Sequence, residues 1–368
     1  MAKILIAMSG GVDSSLTAAL LHEQGHNITG VTMHLWDDDD ERLAESLCCA
    51  AEMAESARRV CAQLGIPYYV FNYQREFRRH VIDYFVQAYA HGFTPNPCLE
   101  CNREIKFRAL MDRARALGFD AVATGHYARI SDAGAGTTPR YRLARAVDAD
   151  KDQSYMLHML QQDDLARLMF PIGEYTKAQV RELAAARGLA SADRAESQDI
   201  CFVPNGDYRN LLREETPESL VPGPIVDLEG REIGRHNGLP LYTIGQRRGL
   251  GLGGGKLLFV VDLDVGRNAL IVGPADAILR DDLTIDRATF VDGGWPAEPF
   301  NCLVQVRSHA DPAPAVVTPI APGRLAVRLN EPIRAITPGQ AAVFYHGDQV
   351  LGGGRIVRNA VTDKRNNS

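Results

Sequence analysis

The feature that most constrains folding is the run Ser9-Gly10-Gly11-Val12-Asp13-Ser14-Ser15, which follows an apolar segment, Lys3–Met8, and leads into a helical pattern from Ser14 to Glu23. A strand that hands over to a helix through glycines lets the backbone approach an anion, with the first helical N–H groups pointing at it. The run therefore reads as the first βα step of a parallel sheet. Its continuation agrees. Ile28–Leu35, Pro67–Asn72 and Ala121–Thr124 read as strands, Glu41–Leu64 and Arg103–Leu117 as helices, and Gly25 as the terminator of the first helix.

Beyond about Asp207 the texture changes to short alternating strands broken by Gly223-Pro224, Glu229-Gly230, Gly253-Gly254-Gly255 and Pro338-Gly339. The expected architecture is an α/β domain over 1–206 with a parallel Rossmann-like sheet. A small β-rich middle domain over 207–273, a C-terminal β-barrel over 274–362 and a polar tail over 363–368 follow it. A chain of 368 residues is long enough for two or three such cores. The longest early apolar run, Ile4–Met8, falls far short of the roughly 20 residues a membrane helix needs, so no membrane partner and a cytoplasmic address are expected.

Net charge is −6, yet from Asn301 onward eight Lys/Arg stand against four Asp/Glu, a local +4. That asymmetry permits a nucleic-acid surface on the C-terminal part, and it equally fits a scattered solvated face.

Seven cysteines in irregular spacing suit reduced thiols, metal ligation or catalysis better than a secreted disulfide framework. In Thr94-Pro95-Asn96-Pro97-Cys98-Leu99-Glu100-Cys101-Asn102 a proline-stiffened loop precedes the helix from Arg103, which puts Cys101 near a helix N-terminus. The dipole, Arg103 and Lys106 are expected to favour its thiolate. A further cysteine lies 100 residues on, in Glu196-Ser197-Gln198-Asp199-Ile200-Cys201-Phe202. Cys48, Cys49, Cys61 and Cys302 stand in apolar contexts and read as inert buried thiols. The Ser9–Ser15 loop lacks the Gly-Lys-Ser/Thr of a Walker A loop, and no lysine is expected to reach the β- and γ-phosphates. Asp13 would repel phosphate directly and is read instead as a candidate Mg²⁺ ligand.

Together these motifs resemble the tRNA-specific 2-thiouridylase family of PP-loop ATP pyrophosphatases. The likeness is carried by Met8–Ser14, Thr94–Pro97, Cys101-Asn102, Ile105-Lys106-Phe107, Thr124-Gly125-His126-Tyr127, Lys151–Tyr155, Ile200-Cys201-Phe202 and Tyr242–Arg247. The resemblance implies that Ala7, Met8, Ser9, Gly10, Gly11, Val12, Asp13 and Ser14 hold ATP, with Met33 beside the adenine and Gly125 lining the pocket. It implies tRNA contacts at Asn96, Pro97, Cys98, His126, Lys151, Asp152, Gln153, Arg307, Ser308 and Gln340. Read without it, His126 is a hydrogen-bonded core histidine and Lys151–Gln153 a polar turn.

The implied reaction is adenylation of the C2 oxygen of the wobble uridine, followed by sulfur transfer. Cys201 would take a persulfide from an upstream carrier protein, Cys101 would act either on the activated C2 or on the persulfide, and the pair would end as a disulfide that must be reduced. The uridine is expected to be flipped out of the anticodon loop. Some family members carry aspartate where Cys98 stands, so a general acid/base there is not assumed. The alternatives are an iron–sulfur cluster on Cys98, Cys101 and Cys201, or a different PP-loop ligase.

Overall fold

The computed structural model describes residues 1–36, 51–134, 140–192, 200–203, 206–253 and 257–358, and for 44–50 the backbone alone. The expected helix over Glu41–Leu64 is described from Ala44 to Gln63 (α2), and Cys48, Cys49 and Glu196–Asp199 lie outside the described side chains.

The N-terminal sheet is parallel and has the order β3-β2-β1-β4-β7, with β1 Lys3–Ala7, β2 Asn27–His34, β3 Tyr68–Asn72, β4 Ala121–Thr124 and β7 Leu168–Met169. β1 is central, and Ile4, Leu5 and Ile6 are wholly buried, as strands covered on both faces require. After β1 the chain builds toward β2 and β3, then crosses back to place β4 on the other side of β1. The carboxyl ends of β1 and β4 therefore flank a topological switch point, where open α/β sheets leave a ligand crevice. Helix α1, Val12–Glu23, starts at that point.

Two elements differ from the sequence expectation. The helix expected from Arg103 is already helical at Pro97, because Asn96 caps it: its side-chain oxygen accepts from the Cys98 and Leu99 amides at 3.1 and 3.4 Å. From Cys101 to Ala109 this helix is π-wound, and it returns to α-helix over Leu110–Ala116. The region beyond Asp207 also opens with a helix, Tyr208–Glu215, before the β-structure begins.

The middle sheet has the order β10-β11-β8-β9, from β8 Gly223–Val226, β9 Glu232–His236, β10 Phe259–Asp264 and β11 Ala269–Gly273. The C-terminal strands are β12 Leu279–Phe290, β13 Phe300–Gln305, β14 Ala313–Ala321, β15 Arg324–Arg334, β16 Ala341–His346 and β17 Gln349–Val357. They pair in the order β12-β15-β14-β13-β16-β17, and the β12–β17 pair closes a six-stranded antiparallel barrel. Leu325, Val327 and Leu329 alternate inward along β15, as a barrel strand demands.

Among the ties that fasten the barrel to the α/β domain, two bear most on the site. The hairpin of β5 Ala128–Asp132 and β6 Tyr141–Arg145 joins the barrel edge through Ala144 and Gln349 of β17. There Arg145 donates to Asp152 and to Gln305, both at 2.9 Å, and lies over the Tyr345 ring at 3.8 Å. At the second place Thr94 donates its N–H to Pro338 O, and its own carbonyl accepts from Gln340 Nε2, both at 2.8 Å. Val343, Tyr345 and Val350 of the barrel belong to the same buried cluster as Phe85, Tyr155 and Leu160.

Asp152 is 6% exposed, so removing its guanidinium partner leaves a nearly buried carboxylate without its charge partner. Arg145→Met should cost about 2–3 kcal/mol, read as a lowered midpoint in denaturant unfolding of the intact protein. A change within about 0.5 kcal/mol, the scale of an ordinary surface substitution, would mean that this seam holds nothing together.

Candidate active site

The loop after β1 takes its shape from glycine. Gly10 has φ +77°, and a Cβ there would stand 2.1 Å from the Met53 carbonyl oxygen, so no other residue fits. Ser56 donates to the Gly10 carbonyl at 2.9 Å, and Ser14 and Ser15 donate to that of Gly11 at 3.1 and 2.9 Å. Gly11 caps α1 without a side-chain acceptor, which leaves the positive end of the helix to an incoming anion. Met33, half-buried on β2, packs against the buried cluster that includes Ala7.

The segment after β4 closes over this loop. A Cβ on Gly125 would lie 2.8 Å from the Ser14 amide nitrogen and 2.9 Å from the Asp13 carbonyl carbon, so the two backbones touch. Tyr127 donates its hydroxyl to Asp13 at 2.7 Å. Asp13 is also bound by Lys177, whose Nζ lies 2.8 Å from both carboxylate oxygens. Asp13, the candidate Mg²⁺ ligand, is an ion-pair partner of Lys177 in this structure. Lys177 escaped the sequence reading because Thr176 and Gln179 form an ordinary capping box in front of it. The available signal was a lysine at the first position of a helix, where the dipole disfavours a cation.

Between Gly125 and Tyr127, His126 turns the other way. It is 6% exposed and packs beside Phe107 and Phe170. Its Nδ1 lies 2.6 Å from Thr124 Oγ1, and its Nε2 faces Lys106 Nζ at 3.5 Å. An ammonium can only donate, so Nε2 accepts and the proton sits on Nδ1. Burial, helped by Lys106, lowers the histidine's pKa well below its ordinary value, so the ring is neutral.

Lys106 projects from the π-wound stretch, one of the rare wide turns that occur at functional sites. Its charge acts on Cys98, Cys101 and Cys201 alike, and Cys98 and Cys101 act on Cys201. Folding thus brings three thiols separated by up to 103 positions within electrostatic reach of one lysine. Phe202 and Val203, both 2% exposed, anchor the last of them. Phe202 lies edge-on to Phe77 at 5.8 Å and to Phe85 at 5.4 Å, which leaves Cys201 at the surface.

The expected thiolate at Cys101 is not found. Cys98 and Cys201 keep exposed surface, yet the protein packed around all three thiols disfavours the charged form and raises their pKa, and at Cys201 the neighbouring Cys101 and Cys98 add to the rise, while Lys106 only partly opposes it. Cys101 begins the second turn of its helix, and Arg103 is held by Glu100 at 2.9 Å, which spends its charge locally. Cys61 and Cys302 are buried, with pKa values pushed up to about 11 and about 12, as inert core thiols should be. Among the described residues no group of three or more His, Cys, Asp or Glu side chains converges to hold a metal ion.

The residues expected to face RNA divide. Asn96 is a helix cap, and Pro97 is buried. Asp152 accepts from Arg145, from the Ala146 amide and from Ser154, and Gln153 Oε1 accepts from the Tyr127 amide at 2.9 Å, so both shape their turn from within. Lys151 is half-buried in the same turn. Gln340 ties the barrel to Thr94. Arg307 turns its guanidinium to the Ala335 carbonyl, and the Ser308 carbonyl accepts from Gln305 at 2.9 Å. The C-terminal basic excess is also reduced. Arg328, Arg355 and Arg358 pair with Asp281, Asp286 and Asp262, which precede the stretch counted in the sequence.

Fold and site define an α/β phosphate-loop protein with three cysteines around one lysine. Comparison with known proteins agrees. Residues 2–205 match the tRNA methyl transferase HUP domain, 209–274 the tRNA methyl transferase PRC-barrel domain and 280–356 the aminomethyltransferase beta-barrel domain. The chain is 72% identical to the tRNA-specific 2-thiouridylase MnmA of Roseiflexus castenholzii, over 98% of this chain and all of that one. It is 73% identical to that of Chloroflexus aurantiacus over the same shares, and 57% identical to that of Herpetosiphon aurantiacus over 97% of this chain and 98% of the other. The chain belongs to the tRNA-specific 2-thiouridylase family.

A raised pKa means less thiolate at neutral pH. In the free protein, iodoacetamide should label Cys101 and Cys201 more slowly at pH 7.5 than it labels free cysteine. The rate should still be climbing above about pH 8.5, where free cysteine half-ionises. Peptide-level mass spectrometry reads this, and labelling faster than free cysteine at neutral pH would contradict the burial effect.

Proposed function

We propose that the chain spends ATP to activate the C2 oxygen of the wobble uridine of tRNA and then places sulfur on C2, yielding 2-thiouridine, AMP and pyrophosphate. The observation that carries this reading is the Thr124–Tyr127 segment. One side of it closes the phosphate loop through Gly125 and Tyr127, and the other, through His126, faces Lys106, whose charge reaches the cysteines. Family membership supports the same reaction.

The C2 oxygen is a poor leaving group, so it attacks the α-phosphorus of ATP and expels pyrophosphate. Ala7–Ser14, Met33 and Gly125 hold the nucleotide for this step, with the N-terminus of α1 stabilising phosphate charge. The terminal sulfur of a persulfide on Cys201, loaded by an upstream carrier protein, then adds to C2, and AMP departs with the oxygen. The Cys101 thiol displaces the remaining S–S bond, leaving the sulfur on uridine and a Cys101–Cys201 disulfide that a two-electron reductant reopens. Lys106 stabilises negative charge on sulfur and on the uracil as it develops.

Domain limits of 1–206, 207–273 and 274–362 fit this division of labour. Asn96, Pro97 and Cys98 border the flipped uridine, and Lys151, Arg307 and Ser308 face the anticodon arm. His126, Asp152, Gln153 and Gln340 act by shaping those surfaces. Mg²⁺ bound with the nucleotide would take Asp13 as a ligand once Lys177 releases its carboxylate, and would neutralise phosphate charge there.

Asp13→Ala should abolish tRNA-dependent pyrophosphate release while leaving tRNA affinity within a few-fold, since the loop handles phosphate and not RNA. A parallel loss of tRNA binding would refute that separation. Cys101→Ser and Cys201→Ser should each abolish thiolation from a persulfide donor, because serine neither carries a persulfide nor ionises near neutral pH. Cys98→Ala should retain partial activity, and complete inactivity together with loss of iron from anaerobically prepared protein would make the three cysteines a cluster site.

A further inference from the structure

The phosphate loop has a nucleotide-binding shape but no cation of its own: Ser9–Ser15 contains none, and the first basic residue of α1 is His22, in its last turn. ATP brings about four negative charges, and helix ends with backbone amides answer only part of them. Lys177, 164 positions from Asp13, fills the gap. It is 9% exposed, and a buried ammonium is costly unless paired. It also sits at the first position of the helix Lys177–Ala186, where its charge adds to the positive end of that helix.

Asp13 lies in the first turn of α1. The Lys177–Asp13 pair therefore joins two helix N-termini, so that two positive dipole ends and an ammonium meet around a single carboxylate. That is an anion site occupied by the protein's own side chain. Tyr127 donates its hydroxyl to Asp13 at 2.7 Å, a partner that an exchange of Lys177 would leave in place, and its ring lies 5.6 Å from Nζ.

We infer that Lys177 is the cation of the phosphate loop, passing from Asp13 in the empty loop to the β- and γ-phosphates of ATP and then to the departing pyrophosphate. This rests on the ATP-dependent reading above, and it adds a phosphate-binding residue from outside the loop motif. Lysine suits the exchange, because its three donors on a flexible stem can change partners without a fixed fork geometry.

Calorimetric titration of the intact protein with ATP, pyrophosphate and AMP, without tRNA, tests the inference. Lys177→Met should weaken ATP and pyrophosphate about tenfold or more, the worth of one charge-assisted hydrogen bond, and leave AMP within about threefold. The double variant Asp13→Asn with Lys177→Met removes the buried pair as a unit and avoids a stranded carboxylate. It should remain weak for ATP. Wild-type ATP affinity in the double variant would show that Lys177 only neutralises Asp13, and equal losses for AMP and ATP would assign it to the fold. Either result overturns the inference. A wild-type protein that binds no ATP would instead defeat the reading on which it rests.

Discussion

The close approach of Gly125 to the Ser14 amide is the constraint on which the rest of the site depends. It brings the end of β4 within van der Waals distance of the start of α1, at the switch point of the parallel sheet. Any side chain at Gly125 would push the two segments apart. Tyr127 would then lose Asp13, and His126 would lose the register that sets it against Lys106. The nucleotide loop and the cysteine cleft are thus two faces of one tetrapeptide, a compact way to let an activated base meet a sulfur donor without travel.

The barrel contributes to this arrangement as a brace. Thr94 is tied at both its amide and its carbonyl to Pro338 and Gln340, immediately before the Asn96 cap and the Pro97–Cys101 turn. The barrel therefore sets where Cys98 and Cys101 sit. Because Val343, Tyr345 and Val350 share a core with the α/β domain, removing the barrel would open that core. The C-terminal part is structurally inseparable from the catalytic domain, whatever RNA surface it also offers.

Much of this was legible in the sequence. The βα step around Ser9–Ser15, the central strands to within a residue or two, and the change to β-structure after the α/β region follow from periodicity and glycine placement. The family motifs singled out Cys101 and Cys201, 100 positions apart, and folding brings the two within electrostatic reach of each other. What stayed hidden depends on tertiary contact. Lys177 looks like any residue after a capping box until Asp13 is placed beside it. The hairpin that joins the barrel is set by long-range pairing, which local propensity does not encode. The C-terminal charge excess misleads because a count begun at Asn301 omits the acids at 262, 281 and 286 that neutralise it.

The thiols show most clearly how burial overrides local rules. Sequence logic favours a thiolate beside a helix start and two cations, yet the cap at Asn96 moves Cys101 inward, Glu100 takes Arg103, and desolvation outweighs Lys106. The resting cleft therefore keeps its sulfurs protonated, which lowers their reactivity toward stray oxidants and electrophiles. The same low dielectric that suppresses the free thiolate strengthens the attraction of Lys106 for any negative charge that appears there. A site built this way is quiet when empty. It stabilises charge most once a loaded sulfur and an activated uridine have displaced water from around it, which couples reactivity to the presence of both partners.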